Sequence, residues 1–475
     1  MSGLEAVEIN ISECLKIIDF RIDANTYQKD YVLTEKHLSS IPHKRLKDCT
    51  TKIQNFGAYS LCNEIVFSDI GHPFLMTQNI NHNYIDWSDI RHIDDKSHAL
   101  LHKSHCVKNQ VLITMAGSLG RVAVYDKDFV SSSNQAIAKL SVMEGYEPYY
   151  ISTFLNTRYG QNQINRFKTI TAQPNINMGL ISELKIALAS ERFQKQLAVH
   201  FAKIENLLSQ SANLYASAES RLLSALGMEN FTPSNEPVSI KSFSESFGTS
   251  GRLDAEYYQK KFEDVENAVK SGDYSSVLEL VSFIDHGKQP PYIDNGKVKV
   301  FSQKWIGDKS IDYSFLTAED EPYTSQEFAD ANSEYVSRMH DILYYSVGAN
   351  IGYCHNYFVE TPSMAGSFIT IIRADKKKVD LIYLGVALNS FIGRMQAEKW
   401  KSASAQPYIY PKDIQKFVIP LVAKSVQHKI AIDVQQSFEL RRQSEYLLNS
   451  AKLAVEMAIE DGEEMAMKWL ENRAL

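Results

Sequence analysis

Only five cysteines occur in 475 residues, Cys14, Cys49, Cys62, Cys106 and Cys354, an odd and scattered set without a CxxC pair. That excludes a disulfide framework and a zinc knuckle and leaves free thiols, which suit a reducing compartment. No run of 18 apolar residues is present and no basic-then-apolar leader opens the chain. Secretion and membrane contact therefore lack support, and a cytoplasmic location is expected. An excess of positive charge is missing too, since 50 Lys and Arg stand against 57 Asp and Glu for a formal net charge of -7. A uniformly basic coat for nucleic acid is excluded, and any such surface has to be local.

Signatures of catalysis are equally thin. The GSLG turn at 117–120 lacks the GxxxxGK[ST] spacing of a phosphate loop, and no Gly-rich turn opens a βαβ cofactor fold. The stretch GKQPPYID (287–294) carries a PPY like the one with which amino-methyltransferases hold a target amine. Gln289 precedes it and no cofactor-binding fold is announced upstream, so it reads as a rigid proline turn. Asp126 and Asp128 near Ser131, Ser132 and Ser133 have no histidine base at a fixed spacing, and exposed turn polarity explains them. His92, His98, His102 and His105 read as a polar loop rather than a metal set. No metal site is expected.

What the chain does have is a text that occurs twice. FRIDANTYQK at 20–29 returns as GRLDAEYYQK from 251, with Arg21, Asp23, Ala24, Tyr27 and Lys29 answering Arg252, Asp254, Ala255, Tyr258 and Lys260. VLITMAGSLGRVAVY (111–125) lines up with ILYYSVGANIGYCHN (342–356) at the same displacement of about 231, and TAQPNI (171–176) with SAQPYI (404–409) at 233. FSDIG (67–71) resembles FIDHG (283–287) at a shorter displacement, which suggests about 15 extra residues in the second half. Matched blocks in one order indicate an internal duplication.

Residues 191–227 contain no Pro and no Gly before Gly227. Leu197, Phe201, Ile204, Leu208, Ser211, Tyr215, Ala218 and Leu222 recur at alternating spacings of four and three, the seam of a coiled coil. Ser190 is placed to cap this helix and Gly227 to stop it. A second such helix is expected over 425–460, with Ile430, Val434, Phe438, Leu448, Ala451, Val455 and Ala458 in its stripe and a polar gap around Arg441 and Ser444. Mutual packing would bury both stripes. Within each half, short β-branched and aromatic runs precede one helical stretch, at 148–168 and 379–400, so each half is expected to be an α+β domain.

Residue types that contact phosphates or read base edges collect in both halves. They are Arg121, Asn134, Gln135, Arg158, Asn162, Gln163, Arg166 and Lys168 in the first, and Lys304, Lys309, Arg394, Lys399 and Lys401 in the second.

A duplicated α+β domain followed each time by a long helix, with AQPxI shortly before that helix, resembles the specificity subunit of type I restriction-modification enzymes. The resemblance covers nearly the whole chain. It implies a first target-recognition domain at 1–189, a spacer helix at 190–227, a linker at 228–250, a second target-recognition domain at 251–424, a spacer helix at 425–460 and an acidic tail at 461–475. The two helices would run antiparallel in a pseudo-two-fold arrangement, with Gln173, Pro174, Gln406 and Pro407 at the domain–helix junctions. The family further implies double-stranded DNA as target, read as an asymmetric bipartite sequence, and partners in two modification subunits and in restriction subunits. S-adenosylmethionine, Mg and ATP would belong to those partners, with no cofactor and no catalysis in this chain. Two other readings compete: a protein-binding scaffold that reads no bases, and a self-contained DNA methyltransferase built on QPPY.

Overall fold

The computed structural model describes residues 7–15, 20–57, 59–88, 90–169, 171, 173–318, 321–402 and 406–473. They fall into two compact units, Met1–Leu207 with Gln443–Leu475, and Leu208–Arg442.

In the first unit α1 (Lys29–Ser40) precedes β1 (Thr50–Gln54). With β2 (Val111–Thr114), β3 (Val122–Val124) and β4 (Ile137–Val142), β1 forms an antiparallel sheet in the order β1-β4-β2-β3. VLIT and VAV are buried along their whole length because both faces of the sheet are covered. Leu112, Ala123 and Ile137 pack with Leu75 of a second small sheet and with Ile80 beyond it, and α2 (Pro148–Asn156) lies against β2 and β3. Next come α3 (Arg158–Phe167) and the long α4 (Glu191–Ala225), which enters the second unit after Leu207.

The second unit repeats this connectivity. After α5 (Lys260–Lys270), strands β5 (Val281–His286), β6 (Ile342–Tyr345), β7 (Cys354–Asn356) and β8 (Ile369–Ala374) pair antiparallel in the order β5-β8-β6-β7. Helices α6 (Leu381–Asn389) and α7 (Phe391–Trp400) follow. Each unit also holds one parallel pair in its second sheet, Leu75 with Ser133 and Phe301 with Ala365.

Two expectations are corrected. FSDIG is not the counterpart of FIDHG: Phe67–Ser68 belongs to the second sheet and pairs with Arg91–Ile93, whereas Val281–His286 occupies the place of β1. Ile53 faces Leu140 as Ile284 faces Ile372, so the match through this strand keeps the displacement of about 231 and no insertion of 15 residues precedes the Gly turn. The single helix expected in each half is two helices. Thr157 and Ser390 adopt extended backbone (ψ 168° and 170°) and begin a new helix each. Gly160 and Gly393 permit the sharp corner, since a Cβ there would stand 2.4 Å from the Leu155 carbonyl oxygen and 2.0 Å from that of Leu388.

The long helices are α4 and α8 (Lys424–Glu460), and in both units they pack on one another. In the first unit His200 Nε2 bonds the Leu447 carbonyl at 3.0 Å. In the second, Ser211 and Ser437 each donate to the other's carbonyl, at 2.8 and 2.7 Å, and Arg221 pairs with Asp433 at 2.7 Å, an antiparallel register. Leu197, Phe201, Ile204, Tyr215, Leu222, Ile430, Val434, Leu448 and Val455 are buried, and Leu208 and Phe438 are half-buried. The polar gap lies within the packed stripe, because Ser444 is fully buried. Ser190 Oγ accepts from the Phe193 amide, and α4 ends where the Gly227 amide returns to Ser224 and the Met228 amide to Leu223, with Gly227 at φ +66°.

The acidic segment expected as a tail contains α9 (Glu463–Glu471). Ala466, Met467 and Leu470 bury its apolar side, and Glu463 accepts from the Ser190 amide at 2.7 Å, placing a carboxylate at the positive end of α4.

Candidate nucleic-acid interface

The repeated text marks one joint in each unit. Arg21 Nε pairs with Asp23 at 2.8 Å while Nη1 donates to the Lys168 carbonyl at 2.8 Å, just past the end of α3. Arg252 repeats this with Asp254 at 2.8 Å and with the carbonyls of Trp400 and Lys401 at the end of α7. Tyr27 and Tyr258 close each loop by donating to the carbonyls of Arg21 and Arg252, at 2.6 and 3.0 Å. The RxDAxxY segment is therefore a clip that holds the end of a helix.

That helix supports the Gly turn. Gly120 (φ +80°) and Gly352 (φ +99°) have no room for a side chain beyond Ile164 of α3 and Ala397 of α7, where an added Cβ would meet carbon at 3.1 and 3.0 Å. The AQPxI segment is bonded to the turn in turn. The Ile176 amide donates to Met115 at 3.0 Å, and in the second unit Ile409 donates to Ser346 and Gly348 to Pro407, both at 2.9 Å. Gln173, Pro174, Gln406 and Pro407 thus lie beside the Gly turn, while Ala172, Ser404 and Ala405 of the same motifs lie outside the described residues.

Strand pairing fixes what else gathers there. Thr114 faces Ile137, Gln54 faces Lys139 and Ile113 faces Val122, so the segments after β1, between β2 and β3 and before β4 emerge at one end of the sheet. In the second unit Tyr345 faces Ile369, His286 faces Thr370 and Tyr344 faces Cys354, which brings together the corresponding segments. Each unit has one loop-bearing end built on the same backbone.

Three sequence candidates lie at this end in the first unit. Arg121 leaves the Gly turn half-buried, with Nη1 bonded to Asn81 Oδ1 at 3.0 Å. Asn134 is buried and accepts from the Ala136 amide at 3.2 Å, and Gln135 stands half-exposed beside the Cys62 thiol.

In the second unit Arg394 adjoins the Gly turn, its side chain 3.8 Å from where a Gly352 Cβ would stand and its guanidinium 4.3 Å from the centre of the Tyr353 ring. The rest are spread elsewhere, and each candidate has polar partners inside its own unit. Arg158 meets Glu456 and Glu460 of α8, and Asn162 donates to Thr34 Oγ1 at 2.9 Å. Gln163 bridges to both backbone groups of Lys185, Arg166 pairs with Glu35 at 3.2 Å, and Lys168 donates to Asn165 at 3.0 Å. In the second unit Lys304 pairs with Glu321, Lys309 with Glu219 at 3.1 Å, Arg394 with Asp308 at 2.6 Å, Lys399 with Glu266 at 2.6 Å and Lys401 with Glu398 at 2.6 Å. Arg166–Glu35 and Lys399–Glu266 are the same ion pair in two copies, joining α3 to α1 and α7 to α5.

Sequence reasoning missed Gln303, whose Nε2 lies 3.9 Å from where a Gly348 Cβ would stand, and Thr77, whose Oγ1 approaches Gly117 in the same way at 3.2 Å. A polar residue two positions after a buried strand that points toward the Gly turn was the available signal. Among the described residues no group of His, Cys, Asp and Glu could hold a metal ion. His98 stacks between His72 and His105, with centroids 3.8 and 4.2 Å apart, an arrangement that presents ring faces to one another and not lone pairs to a cation. No helix among the described residues is long and apolar enough to cross a membrane.

No family model matches the chain, and no curated protein matches it. Solved structures do. The chain is similar to the S subunit of a Type-I restriction-modification system from M. genitalium, 15% identical, covering 90% of this chain and 95% of that one at a TM-score of 0.37. It is also similar to the HsdS subunit from Thermoanaerobacter tengcongensis, 15% identical over 89% of this chain and 97% of that one at 0.28. A chain from a structure of the type I R-M system is 13% identical over 91% and 97%, at 0.27.

Proposed function

We propose that this chain is the DNA-specificity subunit of a type I restriction-modification complex, a non-catalytic protein that reads a two-part duplex sequence and docks modification subunits. The observation that carries this reading is the pair of loop-bearing sheet ends. The same backbone joint of Arg clip, Gly turn and AQPxI segment occurs in both units, but it displays different side chains in each. Arg121, Asn134 and Gln135 occupy positions where the second unit has Tyr353, Gly366 and Ser367. A shared frame with unlike tips is what two readers of unlike half-sites require, and it supports an asymmetric target.

Arg121 is suited to guanine O6 and N7 through the nitrogens that Asn81 leaves unused, and Gln135 to an adenine edge. Phosphate contacts would supply affinity without sequence preference. The helix pair α4–α8 would hold the two readers at a set separation, which a Ser-rich linker could not do. Methyl transfer, with its S-adenosylmethionine, and ATP-driven cleavage would reside in the partners.

The test is selection from a random duplex library by the chain assembled with its modification subunit. A bipartite consensus of two unlike half-sites is expected, and Arg121→Ala should relax one base pair of one half only, with a loss of about 1–3 kcal/mol. Assembly without any enriched sequence would leave a protein scaffold as the function. Methyl-donor binding by this chain alone would favour a self-contained methyltransferase.

A further inference from the structure

The segment before the central strand is where the two sheet ends differ most in chemistry. The Met115 amide donates to the Ala136 carbonyl at 2.7 Å, and the Ser346 amide to the Phe368 carbonyl at 3.2 Å, so Asn134-Gln135-Ala136 and Gly366-Ser367-Phe368 occupy equivalent positions. The first tip is amide-rich. The second ends in a phenylalanine that is 53% exposed.

Phe368 is held, not loose. The Gly366 amide donates to the Phe301 carbonyl at 3.0 Å, and the Ile369 amide returns to Gly366 at 3.1 Å. Beneath this turn Gly287 is pressed so close that an added Cβ would lie 2.4 Å from the carbonyl oxygens of both Ala365 and Gly366. Phe301 leads directly to Gln303, whose amide faces the Gly turn, so Phe368 stands in the same patch as the rest of the loop-bearing end. With the backbone already fixed, contact with a partner costs only the freedom of the ring's own side-chain torsions. Its chemistry is apolar, and the apolar feature of the major groove is the C5-methyl group of thymine.

We infer that Phe368 is a specificity-determining residue that reads a thymine methyl group in the half-site recognised by the second unit. This rests on the reading proposed above. Each of the two tips then discriminates by a different force: amide hydrogen bonds in the first unit, apolar contact in the second.

The experiment uses the chain assembled with its modification subunit and a duplex carrying the selected bipartite site. Each thymine is replaced singly by deoxyuridine, which removes the methyl group and keeps the pairing. One replacement in one half-site should weaken binding about fourfold, the factor that burial of a single methyl supplies. Phe368→Ala should bind the thymine and deoxyuridine duplexes equally, whereas Phe368→Leu should keep part of the discrimination. The inference is overturned if no thymine replacement affects the parent protein, if Phe368→Ala still distinguishes the two duplexes, or if that half-site contains no thymine on either strand. A complex that selects no bipartite sequence at all overturns the proposed function itself, a separate outcome from the loss of methyl discrimination within a functioning reader.

Discussion

The guanidinium of Arg252 is shared between a carboxylate and two backbone carbonyls at a helix end, and no other side chain type could serve all three from one position. Arg252→Ala leaves Asp254 without its partner and the carbonyls of Trp400 and Lys401 without their donor. It should destabilise the protein by about 1–3 kcal/mol, seen as a lower urea midpoint, with Arg252→Lys recovering only part. The hydrogen bond from Arg252 holds the Asp254 carboxyl below its ordinary range against the opposing effect of burial. A depressed carboxylate contributes stability above its unfolded pKa, about 3.9, and loses that contribution as pH falls through its lower folded value. Asp254→Asn should therefore be less stable at neutral pH, and its midpoint should lack that acid-dependent component. Histidine gives the complementary test. Burial lowers His355 to about 4, with Nε2 bonded to the Gly307 carbonyl at 3.0 Å. Between about 6.5 and about 4 the unfolded chain binds a proton that the folded one does not, so stability should decline across that window as pH falls. Replacing His355 with Gln should make the decline shallower by its share, leaving the part that His98, His200 and His286, lowered by burial as well, contribute; denaturation midpoint against pH reads the difference.

Elements are tied to one another by buried amides that recur in both units. Gln163 donates to the Lys185 carbonyl and accepts from its amide, and Gln396 does the same with Val418, at 3.0 and 2.6 Å. Gln194 and Gln427 join two segments at the long helices: each accepts from the residue ahead of α2 or α6, Glu147 and Asp380, and donates to the carbonyl of Ala189 or Val422. Gln396→Ala should cost more than a cavity of its size, because the N–H and C=O of Val418 both lose their partner in the interior at about 1–3 kcal/mol each. Gln396→Glu should not rescue it, since a carboxylate cannot donate to the Val418 carbonyl; thermal denaturation of both variants reads the result. These bridges explain why only part of the candidate site was legible. A glutamine two turns along a helix looks the same in the sequence whether it faces a base or a strand, and only the antiparallel return of 185–187 or 418–420 reveals which. The long helices were legible because heptad spacing is a local pattern, and the Gly turns because left-handed backbone favours glycine. The break at Thr157 and Ser390 was encoded as well, by a cap residue with glycine three positions on, but the unbroken apolar run across it hid the corner.

At the scale of the whole molecule, each long helix contributes to both compact units, and its seam mixes apolar layers with Ser211, Ser437, Ser444 and His200. Reciprocal serine bonds at one level specify a register that a uniform leucine seam would leave free to slide. That register supplies the test of the spacing role proposed for the pair. Because Ser211 faces Ser437, a heptad inserted into α4 just before Ser211 must be matched by one in α8 just after Ser437 if the flanking layers are to stay paired. Seven residues add about 10 Å of rise with about 20° of drift, which preserves the seam and corresponds to about three base pairs along a duplex at about 3.4 Å each. The doubly lengthened chain, assembled with its modification subunit, should methylate sites whose half-sites are unchanged and whose spacer is about three base pairs longer, as read by mapping modified adenines in DNA from cells carrying each form. Lengthening α4 alone slides one helix past the other and should lower the melting temperature with loss of both the old and the new sites. Unaltered spacing in the doubly lengthened protein would show that the helices do not measure the distance between half-sites, while altered half-sites would show that the readers are not independent of the helices that carry them.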